Sequence, residues 1–166
     1  MKSNISKLNK NKYILITGAA GYIGSNLSKI LIENNYKVIL IDNFANSKKI
    51  IIKKLLKLNA QNTYFEKIDL RKRKQITKIF DKFDIDLVIH LASLKVISDS
   101  INFPNKYYIN NVVGTKNLIE EMKNKNVSKI IYSSSAAIYK SSSTKVRENS
   151  KIKITNPYAN TKYKIE

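Results

Sequence analysis

The sequence contains no cysteine and no tryptophan, and it has only one histidine, two prolines and four glycines. The lack of cysteine excludes disulfides, thiolate metal sites and a cysteine nucleophile, and it suits a reducing, cytoplasmic location. With a single histidine, we predict no metal site. The apolar runs are far shorter than the ~20 residues of a membrane-spanning helix, so we expect no membrane partner.

Acidic residues are scarce: there are 12 of them and 31 basic residues, which gives a net charge of +19. Such a charge ordinarily indicates a nucleic acid or an anionic surface as partner. However, only three basic residues are arginine, and Lys, Asn and Ile make up 74 of the 166 residues. A compositional bias at solvated positions explains this pattern better than an interface of arginines and aromatics. We expect no specific nucleic-acid partner, and a basic nucleic-acid-binding protein remains the alternative from another functional class.

The first twelve residues, "MKSNISKLNKNK", are basic and lack the apolar segment of a signal peptide. We predict a disordered basic tail over residues 1–12. The remaining residues, 13–166, have the length of a single domain.

Apolar runs alternate with helical patterns along the chain. Five runs predict strands: "KYILIT", "YKVILID", "TYFEKID", "DLVIHLA" and "SKIIYSSS". Helical patterns separate them, with a long helix predicted from Pro104 to Lys125 and a last helix beginning near Pro157. Continuous apolar strands between helices predict an α/β fold with a doubly wound parallel sheet. Ligands of such sheets bind beyond the carboxyl ends of the strands.

Three of the four glycines, Gly18, Gly21 and Gly24, lie in "GAAGYIG", directly after the first strand and at the start of the first helix. There, glycines make the tight turn, admit a pyrophosphate close to the backbone and let the helix pack on the strand. The helix N-terminus stabilises the phosphate charge. The spacing differs from G-x-G-x-x-G, but its context predicts a dinucleotide site.

Two acidic residues end the next two strands. Asp42 lies eighteen positions after Gly24, where a carboxylate accepts a ribose 2′-hydroxyl and repels a 2′-phosphate, which favours NAD over NADP. Asp69 ends the third strand. It either meets the adenine or caps a helix that begins at Leu70, and both interpretations remain open.

Tyr158 and Lys162 lie four positions apart on one predicted helical face. An ammonium group beside a phenol favours the phenolate, which can then take a proton from an alcohol as hydride leaves. The pair alone is weak evidence in a chain with ten tyrosines. Its position gives it weight, because it follows the fifth strand, which ends in Ser133, Ser134 and Ser135. A serine hydroxyl there can bond the substrate oxygen.

Together these motifs resemble the extended short-chain dehydrogenase/reductases, most closely the UDP-glucose 4-epimerases. The resemblance runs from "YILITGAAGYIGSN" through "LIDNFANSKK", "DLVIHLASLKVISDS", "YYINNVVGT" and "IIYSSSAAIY" to "NPYANTK". In "SSSAAIY", Ser is followed by Ala, whereas the related sugar 4,6-dehydratases carry Thr followed by acidic residues. The resemblance implies a Rossmann-type NAD-binding domain over residues 13–166.

The resemblance also implies roles for individual residues. Ser135 and Tyr158 form the acid/base pair at the sugar 4-hydroxyl, with Lys162 as the third catalytic residue, and the reaction is a transient oxidation at C4 of UDP-glucose or UDP-galactose. His90 is expected to be structural. The implied NAD-binding residues are Gly18, Gly21, Tyr22, Ile23, Gly24, Asp42, Asn43, Asn46, Ser47, Asp69, Leu70, Lys95, Asn110, Tyr158 and Lys162.

Members of this family carry a C-terminal region that binds the UDP-sugar, and the sequence stops shortly after Lys162. We therefore expect a truncated enzyme that is inactive alone, whose C-terminal part is separately encoded or lost. The resemblance suggests a homodimer. Two alternatives within the fold stay open: a non-catalytic NAD-binding remnant, and another extended short-chain nucleotide-sugar dehydratase or epimerase.

Overall fold

The computed structural model describes residues 9–140 and 145–166. Most of the predicted tail, residues 1–8, and residues 141–144 lie outside the described residues. Residues 9–12 lie against the domain, where Lys12 Nζ donates to Asp84 Oδ1 at 3.0 Å. Within the described ranges, no helix is long and apolar enough to cross a membrane, and no group of three or more His, Asp or Glu side chains could hold a metal ion.

Five strands form one parallel sheet in the order β3-β2-β1-β4-β5. This confirms the predicted α/β fold. The order reverses between β1 and β4, so the cleft beyond their carboxyl ends is the expected ligand site. The strands are β1 (Tyr13–Thr17), β2 (Lys37–Asp42), β3 (Thr63–Lys67), β4 (Ile85–His90) and β5 (Lys129–Tyr132).

Helices cover both faces of the sheet because the central strands are apolar on both sides. Alternate strand residues enter two separate cores, with Leu15 and Val88 in one and Ile16 and Leu40 in the other. The helices are α1 (Tyr22–Glu33), α2 (Lys49–Leu56), α3 (Arg73–Lys82), α4 (Ile97–Asn102), α5 (Pro104–Tyr107), α6 (Gly114–Asn124) and α7 (Pro157–Ile165).

The region predicted as one long helix is helical but consists of three segments. A π-helical segment, Tyr108–Val113, joins α5 to α6. A π turn admits an extra residue, which apolar periodicity does not reveal. A further short helix, α4, precedes this region.

A directed chain of hydrogen bonds runs through the buried centre of the fold. Thr17 Oγ1 accepts the N–H groups of Leu91 and Ala92 at 3.2 and 3.1 Å. Its own proton therefore points to His90 Nδ1, 2.7 Å away. His90 Nε2 then carries the ring proton and donates it to Thr115 Oγ1 at 2.7 Å.

The last hydrogen bond of this series is donated by the Thr115 hydroxyl to the backbone carbonyl of Asn111 at 2.5 Å. His90 is 2% exposed, and burial, followed by the positive charge of Lys162, lowers its pKa to about 3. The imidazole is thus neutral and fixed in one tautomer. These contacts agree with the structural role predicted for His90.

We predict that His90→Gln weakens the pH dependence of stability. The unfolded histidine takes up a proton below about pH 6.5, whereas the folded one does so only near pH 3. The wild-type chain therefore loses stability as the pH falls through this window. Between pH 6.5 and 4.5 its free energy of unfolding should fall by roughly 2 kcal/mol more than that of His90→Gln.

Urea unfolding at several pH values measures this difference. Because His90 is the only histidine, it is the only imidazole that can contribute to the difference between the two pH profiles. The carboxylates are the same in both proteins, and their contributions cancel in that difference. Parallel pH profiles would contradict a buried neutral imidazole.

Candidate NAD-binding and proton-transfer site

A cleft of about 380 Å³ lies along the carboxyl edge of the sheet. Residues at or directly after the ends of all five strands contribute to it. Its lining consists of Thr17, Gly18, Gly21, Tyr22, Ile23, Gly24, Ile41, Asp42, Asn43, Ala45, Asn46, Ser47, Ile68, Asp69, Leu70, Leu91, Ala92, Ser93, Leu94, Lys95, Asn110, Ser133, Tyr158 and Lys162.

The glycine turn at one end of the cleft leaves no room for side chains. Gly18 has φ +68°, and a Cβ there would lie 2.8 Å from the Ala92 nitrogen. A Cβ on Gly24 would lie 2.2 Å from the Gly18 carbonyl oxygen. Helix α1 begins directly after Gly21, so its free N–H groups and positive dipole end lie at the cleft. This cradle fits a pyrophosphate.

Asp42 organises the loop after β2. Its Oδ1 accepts Phe44 N–H and Ser47 Oγ, both at 2.8 Å, and its Oδ2 accepts Ala20 N–H at 3.0 Å. The first pair of bonds holds Phe44 at φ +61°, a conformation that bulky residues rarely adopt. A carboxylate oxygen can accept two hydrogen bonds, so Oδ2 keeps one place for a ribose hydroxyl.

Asp69 lines the cleft, but its carboxylate bonds the neighbouring Arg71. The guanidinium group donates to both carboxylate oxygens at 2.6–3.1 Å, and this hydrogen bonding is the main reason that the pKa of Asp69 is lowered. The alternative role as a helix cap does not hold, because α3 begins at Arg73 and follows Lys72.

Asn111 connects the loop after β4 to α7. Its Oδ1 accepts Leu94 N–H at 2.9 Å, and its Nδ2 donates to the Leu94 carbonyl at 3.0 Å and to Thr161 Oγ1 at 3.1 Å. It also accepts Asn110 Nδ2 at 3.0 Å. One buried side chain thus holds together the segments that carry Lys95, Asn110 and the Tyr158–Lys162 pair.

Helix α7 brings Tyr158 and Lys162 to the other end of the cleft. Asn156 caps the helix by accepting Ala159 N–H at 2.8 Å, and Pro157 is its first residue, as predicted. Lys162 is 4% exposed and donates from Nζ to the Ser133 carbonyl at 2.9 Å. Burial lowers its pKa to about 8. The half-buried Tyr158 lies one turn before it.

Ser135 is the one predicted site residue that is not among the described residues lining the cleft. Its Oγ accepts Ala137 N–H at 3.2 Å and caps a short 3₁₀ helix, Ala136–Ile138. Ser133 lines the cleft, and Ser134 contacts Glu166. All the predicted NAD-binding residues lie along the cleft, while their contacts with NAD stay a prediction.

Several residues that shape the cleft were absent from the prediction. Thr17, Leu91, Ala92, Ser93 and Leu94 lie at or just after the ends of β1 and β4. The ends of the strands were the available signal, because each central strand of a parallel sheet ends at the same edge. Asn111 had no such signal.

Comparisons with known proteins agree with this geometry. Residues 14–166 match the model of the NAD dependent epimerase/dehydratase family. The chain is 41% identical over 164 residues to bifunctional protein GAL10 of Kluyveromyces lactis, covering 96% of this chain and 24% of that protein. It is 40% identical over 159 residues to UDP-glucose 4-epimerase 2 of Arabidopsis thaliana, covering 93% of this chain and 45% of that protein.

Solved structures are also similar. The UDP-glucose 4-epimerase from Bifidobacterium longum in complex with NAD⁺ and UDP superposes with a TM-score of 0.86 at 33% identity, over 91% of this chain and 46% of that one. The chain therefore spans less than half the length of these relatives.

We predict that Gly24→Ala disrupts the turn. Its Cβ would meet backbone atoms of Gly18 and Ala19, which cannot rotate away, so the free energy of unfolding should fall by roughly 2 kcal/mol or more. Gly114→Ala is the matched control. Its Cβ would lie 3.2 Å from the side chain of Leu70, and the gain in helix propensity should keep the change within about 1 kcal/mol. Equal losses measured by urea unfolding would contradict this account of the turn.

Proposed function

Because the chain belongs to the NAD dependent epimerase/dehydratase family, we propose that it is the NAD-binding and proton-transferring part of a UDP-glucose 4-epimerase. One observation carries the proposal. The cleft begins at a glycine cradle that fits a pyrophosphate and ends at a buried lysine one helical turn from a tyrosine. A dinucleotide lying in this cleft would bring its nicotinamide to Tyr158 and Lys162.

The residues have separable tasks. Bound NAD would accept a hydride from C4 of the sugar and return it to the opposite face. Tyr158 takes the proton of the 4-hydroxyl at its phenolic oxygen and later gives it back. Lys162, buried beside it, stabilises negative charge on that oxygen more strongly than it would in water. The Ser133 carbonyl holds the ammonium group in place.

Ser135 is proposed to bond the same sugar oxygen. Its hydroxyl accepts one backbone N–H and so retains its own proton for a ligand. Because it lies outside the lining of the cleft, it would contact the sugar rather than the cofactor.

The substrate is proposed to be UDP-glucose or UDP-galactose, on the strength of the relatives' names. Binding energy from the nucleotide part of such a substrate orients the reacting sugar. Since the chain spans less than half of these relatives, we expect it to bind NAD by itself and to need the remaining half for turnover.

Cofactor preference tests the role of Asp42. The wild-type chain should bind NAD at least tenfold more tightly than NADP in calorimetric titrations, because the carboxylate repels a 2′-phosphate. Asp42→Asn should bring the two dissociation constants together. Asp84→Asn, at a carboxylate whose side chain is 69% exposed, is the matched control and should leave their ratio unchanged. If neither cofactor binds, the proposed function fails.

Turnover tests the role of Tyr158. The chain is joined to the C-terminal half of UDP-glucose 4-epimerase 2 of Arabidopsis thaliana, with which it shares 40% identity over 159 residues, and conversion of UDP-galactose to UDP-glucose is followed. Tyr158→Phe should lower kcat by about 10²–10⁴-fold while NAD still binds. Tyr163→Phe, on the same helix with 45% of its residue surface exposed, should be neutral. NAD binding by a joined enzyme without turnover would favour a non-catalytic module.

A further inference from the structure

The buried ammonium group of Lys162 has few partners. It carries three N–H donors, yet among residues 9–140 and 145–166 it has one hydrogen-bond acceptor, the Ser133 carbonyl at 2.9 Å. Two aromatic rings also lie near it. The ring centroid of Tyr132 lies 5.0 Å from Nζ, and that of Tyr158 lies 5.9 Å from it.

Tyr132 is the last residue of β5, and the core holds its ring by stacking. The ring lies parallel to the His90 imidazole within 23°, with centroids 5.8 Å apart. His90 is fixed in turn by Thr17 and Thr115. The imidazole, the phenol ring and the ammonium group, together called the column below, are therefore neighbours that link the core to the cleft.

The hydroxyl of Tyr132 does not explain its placement. It is buried and has no hydrogen-bond partner in the part of the chain that the structure describes. A buried hydroxyl without a partner is unfavourable. The favourable contacts of this side chain are those of its ring.

We propose that Tyr132 is a positioning residue for the reaction proposed above, and that its ring face holds the Lys162 ammonium group against Ser133 and beside Tyr158. The purpose that we assign to Tyr132 rests on the proposed function, but the test of its contact with Lys162 does not. It concerns a residue that neither touches the cofactor cleft nor takes part in proton transfer.

The electrostatics of the column support this role. The attraction between a cation and a ring face grows when both are removed from water, as they are here. Burial raises the pKa of Tyr132, so the ring is neutral at physiological pH, and His90 is neutral too. The other titratable groups near the column are Tyr158 and the carboxylate of Glu166, which contacts Ser134. Nothing in the column repels the ammonium group.

The test is an NMR titration of the side chain of Lys162 in the complete 166-residue chain without NAD. Lys162→Arg assigns the resonance. Tyr132→Leu removes the ring, and the pKa of Lys162 should fall by about one unit, the equivalent of a desolvated cation–π contact. Tyr132→Phe keeps the ring and should leave this pKa close to the wild-type value. Lys82, 4.3 Å from the Tyr64 ring, is the internal control and should not respond.

Two results would overturn the proposal. A folded Tyr132→Leu chain in which Lys162 titrates as in the wild type would remove the role of the ring. A fall as large in Tyr132→Phe as in Tyr132→Leu would transfer the effect to the hydroxyl.

Fluorinated phenylalanines at position 132 repeat the test in chains that keep the shape of the ring, and they decide it if Tyr132→Leu does not fold. Fluorine weakens the negative ring face, so the pKa of Lys162 should fall stepwise with fluorine number, and a flat series would refute the proposal. Since the titration uses neither cofactor nor sugar, its outcome is independent of whether the chain binds NAD or supports epimerisation.

Discussion

The single histidine of this protein has to remain neutral, and the arrangement of the site depends on that constraint. His90 accepts a hydrogen bond from Thr17 and donates one to Thr115, so the donor and acceptor in each of these hydrogen bonds are fixed. The last of these hydrogen bonds joins Thr115 to the backbone carbonyl of Asn111 in the π-helical segment. The side chain of Asn111 in turn bonds Thr161 on α7. A charged imidazole would donate to Thr17 instead of accepting from it, and it would repel Lys162. The neutral form of His90 is therefore required both by the fold and by the site.

The position of α7 follows from contacts made within this part of the chain. Lys162 bonds Ser133, Asn111 bonds Thr161, and the N–H of Tyr158 donates to Ser100 Oγ at 3.2 Å. These partners come from three different segments, and all of them precede the helix in sequence. The cleft and the Tyr158–Lys162 pair therefore belong to one structural unit, and binding of the proposed UDP-sugar would be a separable task.

Features that neighbouring residues produce could be predicted from the sequence, whereas features that depend on contacts between distant segments could not. Apolar runs and the glycine turn predicted the sheet and one end of the cleft, because neighbouring residues produce both. The roles of Thr115, Asn111 and Tyr132 arise only when β4, β5 and the π-helical segment come together across 17 to 50 positions of sequence. A single threonine or asparagine in a helical pattern carries no sign of such a contact. Ser135 was predicted from resemblance, and the structure gives it a local capping role that spacing does not show.

Lys162 shows how an unfavourable feature can indicate function. Lys162 is only 4% exposed, so its ammonium group loses hydration on folding, and a single carbonyl acceptor restores only part of that free energy. An apolar side chain of similar size would stabilise the fold more, since no carboxylate among the described residues forms an ion pair with Lys162 in the way that Glu121 does with Arg73. Perturbed ionisable groups of this kind cluster at functional sites. The lowered pKa of Lys162, the ring near it and the tyrosine one helical turn before it suit the proton transfer that we propose, and the hydrogen bonds of Ser133 and Asn111 hold α7 in place for it.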